Sequence, residues 1–469
     1  MGHPWLPNLN DRDRREMLEK IGVRDPLELY RDVPRGLILP EPPRVGFEKP
    51  LSEEEVRLHL DKVLSRNRVY LDPPPFTGGT VCPHYVPAVV DAIISRGEFY
   101  TAYTPYQPEI NQGILQALFE YQSLMADLLE VDVVNSSMYD MSTAVAEAAL
   151  MSMRVTRRRR ILVPETMNPE HLEVLITWTR GRDAIVETVR VDDETGLLDL
   201  GDLEARLSRG DTAAVYLENP SFLGVVQEHA EAVGDAAHKH GALFIVGVDV
   251  TSLGLLKPPG RYGADIVVGE GQPLGLGLNY GGPYLGVFGV RWDRRLVRQM
   301  PGRLVGMTRS VEGERAFTLI LQTREQHIRR ERATSNITTN EALMAIAAAV
   351  YISLLGKGGF RRLSREVLVR SNYLLHRARG IGLEPLYPSA RYYKNIPLVF
   401  PLEYSRVHQA LKERGIMGGL PLDRYEETRR LLGEKASRTA LFCATEVHSK
   451  RHIDALIDAI AGIVGGGGG

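Results

Sequence analysis

Short apolar runs alternate with amphipathic stretches between about residues 67 and 325. Helical patterns over residues 144–154 and 229–241 separate some of the apolar runs. The clearest predicted strands are residues 161–164, 184–186, 213–217 and 243–248. Strands that alternate with helices are typical of βαβ units and of a parallel sheet. We therefore expect a large α/β domain with a mostly parallel central sheet.

The regions on either side of this domain have different patterns. Residues 1–66 are charged and helix-patterned, with a proline-rich linker at 37–43 and a predicted capping box formed by Ser52 and Glu55. Beyond residue 326, two long helical stretches precede short strands, which indicates a smaller C-terminal α/β domain that ends in a flexible glycine tail. The ranges of these later elements are residues 340–355, 360–379, 396–400, 438–443 and the tail 465–469. The predicted organisation is an N-terminal helical arm (1–66), a large domain (67–325) and a small domain (326–469).

Composition narrows the class of protein. A chain of 469 residues is long enough for two to three domains, and 43% hydrophobic with 25% charged residues is ordinary globular material. The formal net charge of −2 gives no reason to expect nucleic acid or membrane partners. No window approaches about 18 uninterrupted apolar residues, and the first residues do not resemble a signal peptide, so we expect a cytoplasmic protein. Cys82 and Cys443 are far apart in sequence, which predicts neither a disulfide framework nor a zinc ligand set.

Asp249 stands where a predicted strand ends, and ligands gather beyond the carboxyl ends of strands in open α/β sheets. An aspartate there can pair with the pyridinium nitrogen of pyridoxal phosphate, or it can simply form a turn before Thr251. An enzyme that uses pyridoxal phosphate also needs a lysine, which is expected one strand after this aspartate. The next predicted strand instead leads into Gln272 and Pro273, and no lysine lies between Lys257 and Lys357. A Schiff base requires a primary amine.

Two further loops have the composition of anion or nucleotide sites, each with a simpler explanation. Residues 131–144 run from a strand through polar residues into a helix, and this arrangement can hold a phosphate or can be plain helix capping by the serine residues. The bulky Met138, Tyr139 and Met141 and the acidic Asp140 disfavour phosphate. The glycine-rich residues 269–286 match the dinucleotide fingerprint weakly, because the glycine spacing is off by one residue.

Two basic segments complete the set of candidates. Residues 326–340 combine arginines with hydroxyl and amide side chains, which suits contacts with anions or a capped helix start. Residues 157–160 are four consecutive arginines, which indicate either a solvated face or a docking site for an acidic partner.

Several long and specific motifs resemble the glycine decarboxylase (P protein) of the glycine cleavage system, and within it the N-terminal, or α, subunit of the two-subunit form. They are FYTAYTPYQPEI (99–110), the segment 112–122, NSSMYD (135–140), GEGQPLG (269–275), RATSNI (332–337), GIMGG (415–419) and CATE (443–446). The likeness extends from the arm to about residue 460. Two small departures, Met141-Ser142 in place of a typical Gly-Ala pair and Thr338 in place of cysteine, leave the resemblance intact.

The resemblance implies a pyridoxal phosphate-dependent transferase fold of type I and a pair of homologous α and β subunits. In such a pair the β subunit carries the Schiff-base lysine and binds pyridoxal phosphate covalently, whereas this chain does not. The complex decarboxylates glycine and passes the aminomethyl group to the lipoyl arm of the H protein, while this chain alone is inactive.

The family also implies roles for residues that could cross the subunit boundary. The segment Thr334, Ser335 and Asn336 is expected to reach the cofactor phosphate of the partner. An interface or a substrate and lipoyl channel is expected at Tyr103, Thr104, Tyr106, Gln107 and Glu109, although a structural role is an equal alternative. We expect no catalytic residue and no metal ligand in this chain.

Two alternatives to a non-catalytic subunit remain open at the level of sequence. In one, Lys257 is a Schiff-base lysine and the chain is an independent pyridoxal phosphate enzyme, although Lys257 follows Asp249 by only eight positions. In the other, the chain is a purely structural partner of the β subunit and contacts no ligand.

Overall fold

The chain divides into two compact units, Met1–Val69 and Tyr70–Gly469. The computed structural model describes residues 10–39, 41, 46–47, 49–102, 105–335, 337 and 341–465. Most of the proline-rich linker after residue 39 and the tail at 466–469 therefore lie outside the described residues. The sequence places the first boundary at 66/67, close to the division after Val69, and the second unit contains both of the predicted α/β regions.

The α-helices described in the first unit are α1 (Asp11–Ile21) and α2 (Glu53–Leu64). The capping box predicted before α2 is confirmed. The Ser52 hydroxyl accepts a hydrogen bond from the Glu55 backbone N–H at 3.3 Å, and the Glu55 carboxylate accepts one from the Ser52 N–H at 2.7 Å. No residue of either helix is buried, which is the pattern of an arm rather than of an independent core.

A seven-stranded sheet forms the centre of the second unit. Its strands are β1 (Val133–Val134), β2 (Arg160–Pro164), β3 (Ile185–Val189), β4 (Thr212–Asn219), β5 (Leu243–Asp249), β6 (Ile266–Glu270) and β7 (Gly286–Val290). They lie in the order β1-β7-β6-β5-β4-β2-β3, and the block from β6 to β3 is parallel. Only β7 and β1 run antiparallel to their neighbours. The predicted α/β fold with a mostly parallel sheet is confirmed.

Helices cover both faces of this sheet, which explains why its central strands are apolar on both sides. Along β5, Phe244, Val246 and Val248 pack into one hydrophobic core, while Leu243 and Ile245 pack into another. The helices of the second unit are α3 (Ala88–Ile94), α4 (Gly97–Tyr100), α5 (Gln112–Leu129), α6 (Met141–Thr156), α7 (Pro169–Thr179), α8 (Leu200–Leu207), α9 (Ala230–Lys239), α10 (Arg294–Val297), α11 (Gln326–Arg329), α12 (Ala342–Gly380), α13 (Tyr404–Glu413), α14 (Glu426–Leu432) and α15 (Lys450–Gly465).

Two smaller sheets follow the large one along the chain. The hairpin consists of β8 (Leu304–Arg309) and β9 (Arg315–Ile320). The four-stranded antiparallel sheet, in the order β10-β11-β13-β12, consists of β10 (Glu384–Pro385), β11 (Asn395–Val399), β12 (Leu420–Pro421) and β13 (Thr439–Cys443). This sheet has a hydrophobic cluster of its own, which also includes Phe76 and Phe222 from earlier in the chain. The predicted strands at 396–400 and 438–443 are confirmed as β11 and β13.

The long helix α12 combines the two helical stretches that the sequence predicts at 340–355 and 360–379. Gly356, with φ +57° and ψ −179°, is non-helical and kinks α12 between them. An 18-residue window of α12 has a mean hydropathy of 1.6, so by length and composition the helix could cross a membrane, and a third of that window is buried. The expectation concerns uninterrupted apolar residues, and Ser353 and Lys357 interrupt the apolar run of α12. In the fold, Ala345, Ala348 and Tyr351 belong to the main hydrophobic core, as in the core helix of a globular domain.

Candidate functional site: the Asp249 pocket

Three acidic side chains lie at the carboxyl ends of three neighbouring strands. Glu218 is near the end of β4, Asp249 ends β5 and Glu270 ends β6, and Asp249 lies directly opposite Glu270 in the parallel ladder. Glu218 and Glu270 are each only 4% exposed. The carboxyl edge of an open parallel sheet is where ligands bind in this class of fold. Two buried carboxyl groups and a third that is partly buried there mark this edge as the candidate site.

A small pocket with a cavity volume of about 40 Å³ opens at this edge, and we call it the Asp249 pocket. The three carboxyl groups all line it. The other lining residues that matter below are Thr80, Met141, Pro273, Lys394 and Asn395. Lys394 and Asn395 come from the start of the small sheet, so the pocket is formed where the large and small sheets meet.

The Asp249 carboxylate is fully engaged inside the chain. Its Oδ1 atom accepts hydrogen bonds from the Thr251 backbone N–H at 2.9 Å and from the Thr251 hydroxyl at 2.6 Å. Its Oδ2 atom forms a salt bridge with the Lys394 ammonium. The turn-forming role that the sequence leaves open for Asp249 is therefore confirmed, and a second role, as the partner of a buried lysine, is added.

The charges of this pair are mutually stabilised. Burial alone would raise the pKa of Asp249, but the Lys394 ammonium holds it below its ordinary value. Burial would lower the pKa of Lys394, and the Asp249 carboxylate raises it instead. The Lys394 side chain is only 4% exposed, so its charge has little access to water. Both groups are therefore charged near neutral pH, and each depends on the other.

The N-terminus of α6 faces the same pocket, and carboxyl groups occupy two of its N–H donors, those of Met141 and Thr143. The Asp140 carboxylate accepts a hydrogen bond from the Thr143 backbone N–H at 2.8 Å and one from the Ser142 hydroxyl at 2.6 Å. The Glu270 carboxyl group accepts one from the Met141 backbone N–H at 3.1 Å. The expectation that serine residues cap this helix is wrong, because Asp140 is the N-cap. An acidic cap is favourable at the positive end of a helix.

Glu270 is held by three backbone groups rather than by a cation. Besides Met141, the Gln272 N–H donates to it at 3.0 Å and the Leu285 N–H at 3.1 Å. Burial raises the pKa of Glu270 to about 8, with a further increase from the nearby Asp140, while the three N–H groups act in the opposite direction. Glu270 is therefore largely protonated near neutral pH, which lets it share a buried site with Asp140.

The expected lysine position offers no amine. Pro273 lines the Asp249 pocket, while the buried Gln272 side chain donates to the Leu276 carbonyl oxygen at 2.7 Å. The glycine-rich stretch from 269 to 286 connects β6 to the antiparallel β7 and opens no helix. A dinucleotide fingerprint requires such a helix, so that interpretation does not apply.

Lys257 does not supply the amine either. Its ammonium forms a salt bridge with Glu231 at 3.0 Å, its side chain is 49% exposed, and it is not among the residues that line the Asp249 pocket. The geometry therefore gives no support to the alternative in which Lys257 is a Schiff-base lysine.

Pyridoxal phosphate does not fit the residues of the Asp249 pocket. Its aldehyde would find no amine at Gln272 or Pro273, and its ring nitrogen would compete with Lys394 for Asp249. Its phosphate would compete with Asp140 and Glu270 for the N–H groups of α6. No step of a reaction can be assigned to this pocket through that cofactor.

The residues that are expected to reach the cofactor phosphate of the partner do not line the Asp249 pocket but a separate groove. Thr334 and Ser335 line a groove with a volume of about 790 Å³, which we call the arginine groove. The Ser335 hydroxyl donates to the Glu147 carboxylate on α6 at 2.7 Å, and the Thr334 N–H donates to the Arg324 carbonyl oxygen at 3.2 Å. Asn336 lies outside the described residues. The arginines that line the groove are Arg154, Arg157, Arg158, Arg159, Arg182 and Arg332.

The candidate interface or channel residues are mostly exposed. Tyr106 is 43% exposed, its hydroxyl accepts a hydrogen bond from Arg303, and the Arg303 guanidinium lies 4.5 Å from the centre of its ring. Gln107 and Glu109 are exposed as well. Tyr103 and Thr104 lie outside the described residues. The structure does not bring the three described residues into the Asp249 pocket.

Sequence reasoning missed Lys394, the residue that most changes the interpretation of the pocket. It is distant in sequence from Asp249, and only its place immediately before a buried strand distinguishes it from a surface lysine. The structure also brings the buried side chains of Cys82 and Cys443 close to Lys394, and the Cys82 thiol donates to the Gly79 carbonyl oxygen at 3.7 Å. Within the described residues, no group of three or more His, Cys, Asp and Glu side chains could hold a metal ion.

Comparison with solved structures identifies the architecture. A crystal structure of glycine decarboxylase (P-protein) of the glycine cleavage system, in inhibitor-bound form, superposes with a TM-score of 0.84 at 37% identity, covering 99% of this chain and all of that one. A cysteine desulfurase from Thermococcus onnurineus has a TM-score of 0.62 at 18% identity over 90% of this chain and all of that one, a likeness of fold alone. The expected fold, that of pyridoxal phosphate-dependent enzymes of type I, is confirmed.

Sequence comparison identifies the family. The model of the glycine cleavage system P-protein family matches residues 5–458. A chain from Aeropyrum pernix named probable glycine dehydrogenase (decarboxylating) subunit 1 is 55% identical over 99% of this chain and all of its own length. One of the same name from Staphylothermus marinus is 52% identical over 98% of both chains. Together with the fold and the strand-end pocket, these matches show that the chain belongs to the glycine cleavage system P-protein family.

Proposed function

We propose that this chain is the lysine-lacking α subunit of a two-subunit glycine decarboxylase. In this proposal a homologous β subunit binds pyridoxal phosphate covalently. The assembled enzyme decarboxylates glycine and transfers the aminomethyl group to the lipoyl arm of the H protein. The α subunit alone is inactive.

The observation that carries the proposal is the absence of an amine at Gln272 and Pro273, in a pocket that otherwise stands where this fold binds its cofactor. A Schiff base cannot form without a primary amine. The names of the relatives support the division of labour, because both are called subunit 1 and a first subunit implies a second.

The arginine groove supports a role for this chain in the assembled enzyme. Arginine guanidinium groups and hydroxyl donors suit a phosphate or another anion, and the groove contains six arginines with Thr334 and Ser335 at its edge. We propose that Thr334, Ser335 and Asn336 reach the cofactor phosphate of the β subunit. We also propose that Tyr103, Thr104, Tyr106, Gln107 and Glu109 shape the subunit interface or the channel for glycine and the lipoyl arm.

Co-expression with the homologous lysine-bearing chain of the same genome tests the proposal. The exchange of the glycine carboxyl group with labelled CO2 should require both chains, and it should be absent when either is omitted. A β subunit whose Schiff-base lysine is replaced by Ala should abolish exchange in the complex. Equal exchange by the β subunit alone would show that this chain is dispensable, and exchange by this chain alone would refute the proposal outright.

A further inference from the structure

We propose that Lys394, together with Asp140 and Glu270, closes the Asp249 pocket against pyridoxal phosphate by placing internal groups where the two polar ends of the cofactor would bind. This inference rests on the proposed function and deepens it. The missing lysine at 272/273 prevents a covalent bond, whereas the internal groups prevent binding itself. The chain therefore folds with a filled site rather than a vacant one.

The first internal group that takes the place of the cofactor is the Lys394 ammonium, which binds Asp249. A pyridinium N–H would need a carboxylate oxygen, but Oδ1 already accepts two hydrogen bonds from Thr251 and Oδ2 is paired with the Lys394 ammonium. An ammonium and a protonated ring nitrogen are both cationic donors. Lys394 therefore satisfies Asp249 in the same chemical way as the cofactor would, and a second cation at Oδ2 would be repelled by the Lys394 ammonium.

Lys394 is held in place by its neighbours on both sides. The Tyr393 hydroxyl donates to the Thr251 hydroxyl oxygen at 3.1 Å. The Asn395 side-chain amide donates to the carbonyl oxygens of Gly79 at 2.9 Å and Phe222 at 3.2 Å. Lys394 itself has a φ of +62°, in the left-handed region. This fixed backbone directs the ammonium into the pocket, so a ligand would have to break a buried ion pair rather than displace a mobile surface lysine.

At the N-terminus of α6, the carboxyl groups of Asp140 and Glu270 take the place of the cofactor phosphate. A phosphate there would need free backbone N–H groups, yet Met141 donates to Glu270 and Thr143 donates to Asp140. A phosphate dianion would also have to approach Asp140 and a buried acidic group, which is unfavourable at short range. A cation on Asp249 and carboxyl groups at the helix end thus reproduce, with side chains, the charge pattern of a bound pyridoxal phosphate.

Covalent labelling at residue 273 tests the role of Lys394. This chain would be assembled with a β subunit whose Schiff-base lysine is replaced by Ala, and would carry Pro273→Lys alone, with Lys394→Met, or with the charge-retaining control Lys394→Arg. After incubation with pyridoxal phosphate and borohydride reduction, the label on Lys at 273 is measured by peptide mass. We expect at least tenfold more label with Lys394→Met than with either of the other two. A Gln272→Lys series covers the neighbouring position.

Two results would overturn the proposal. Equal labelling of the Pro273→Lys variant with and without Lys394→Met would mean that the missing amine alone keeps the cofactor out. No labelling of Lys394→Met in either the 272 or the 273 series, in folded protein, would mean that Lys394 is not the barrier. If Lys394→Met does not fold, Lys394→Gln, which keeps a hydrogen-bonding group, should still give more label than Lys394→Arg.

The role of the Asp140 and Glu270 carboxyl groups is tested with pyridoxal, which lacks the phosphate. The Pro273→Lys/Lys394→Met variant should be labelled by pyridoxal and by pyridoxal phosphate to within about threefold, because Asp140 and Glu270 still hold the N–H donors. Adding Asp140→Ala and Glu270→Ala, which remove the acceptors of the Thr143 and Met141 N–H groups, should raise the preference for the phosphate at least tenfold. An unchanged preference would contradict the role of these carboxyl groups. Label on any lysine of the unaltered chain in this pocket would instead refute the proposed function.

Discussion

The Asp249 pocket and the arginine groove lie along the same helix, α6, and differ in whether every charged side chain has a partner within the chain. In the pocket at the N-terminal end of α6, every charged group has an internal partner, including the buried pair of Lys394 and Asp249. In the groove along the later part of α6, the arginines whose side chains have partners within the chain are Arg154, Arg158, Arg159 and Arg332. The side chains of Arg157 and Arg182 are exposed, and within the described part of the chain neither side chain forms an ion pair or a hydrogen bond. A site closed on itself is suited to stability, and a basic open groove is suited to an external anion.

Breaking the ion pair between Lys394 and Asp249 should have the largest effect on stability. Lys394→Met should lower the free energy of unfolding by about 3–5 kcal/mol, because it leaves the Asp249 carboxylate buried without its cation. The double variant Lys394→Met/Asp249→Asn should recover most of the loss, since neither charge remains. Urea unfolding of the two single variants and the double variant measures the coupling. A loss below about 1 kcal/mol for Lys394→Met would mean that the pocket is not closed by this pair.

The pH dependence of stability is the next largest expected effect. The pKa of Glu270 is raised to about 8 in the folded chain, so its contribution to stability is fully present below its ordinary pKa and is lost as the pH rises towards 8. Between pH 5 and pH 8 we expect the wild-type chain to lose roughly 2–4 kcal/mol relative to Glu270→Gln, at about 1.4 kcal/mol per pH unit at most. Unfolding curves at several pH values compare the slopes, and parallel slopes would contradict a protonated Glu270.

The groove should respond in binding rather than in folding. In the reconstituted complex, Ala substitution of Thr334, Ser335 and Asn336 together should weaken the retention of pyridoxal phosphate by roughly a hundredfold, since each of the three lost phosphate contacts is worth about 1 kcal/mol. Thr177→Ala is the matched control, because Thr177 also lines the groove. Cofactor release is followed by absorbance during dialysis. Unchanged release and turnover would assign the segment a purely structural role.

The smallest expected effect completes the comparison. Arg157→Met and Arg182→Met should change the free energy of unfolding by no more than about 0.5 kcal/mol, because exposed charges contribute little to folding. Thermal unfolding of these variants beside Lys394→Met checks the difference between the two sites. A loss comparable with that of Lys394→Met would show that the groove, too, is part of the stabilising framework.

Local pattern was enough to predict the large sheet and its edge. The strands β2, β4 and β5 have near-continuous apolar runs, so their positions and the place of Asp249 at a carboxyl end followed from the sequence. The absence of a lysine at Gln272 and Pro273 was also visible there, since it depends only on residue identity and on the order of the strands.

The contents of the pocket could not be predicted in the same way. The pairing of Lys394 with Asp249 depends on how the small sheet docks against the large one, and no local spacing encodes that contact. The sequence favours serine as the cap of α6, whereas Asp140 provides it, because the first residue of a helix is set by packing as much as by propensity. Long-range contacts between the large and the small sheet therefore determine the chemistry of the site. Short-range sequence patterns determine the strands and helices that carry it.

The central claim is that this chain leaves the cofactor to its partner, and the stoichiometry of pyridoxal phosphate tests it most directly. The complex of this chain with its lysine-bearing homologue would be saturated with pyridoxal phosphate, reduced with borohydride and mapped by peptide mass. We expect one cofactor per pair of chains, with all of the label on the homologue and none on Lys394 or Lys257. Two cofactors per pair, or label within the Asp249 pocket of this chain, would contradict the claim.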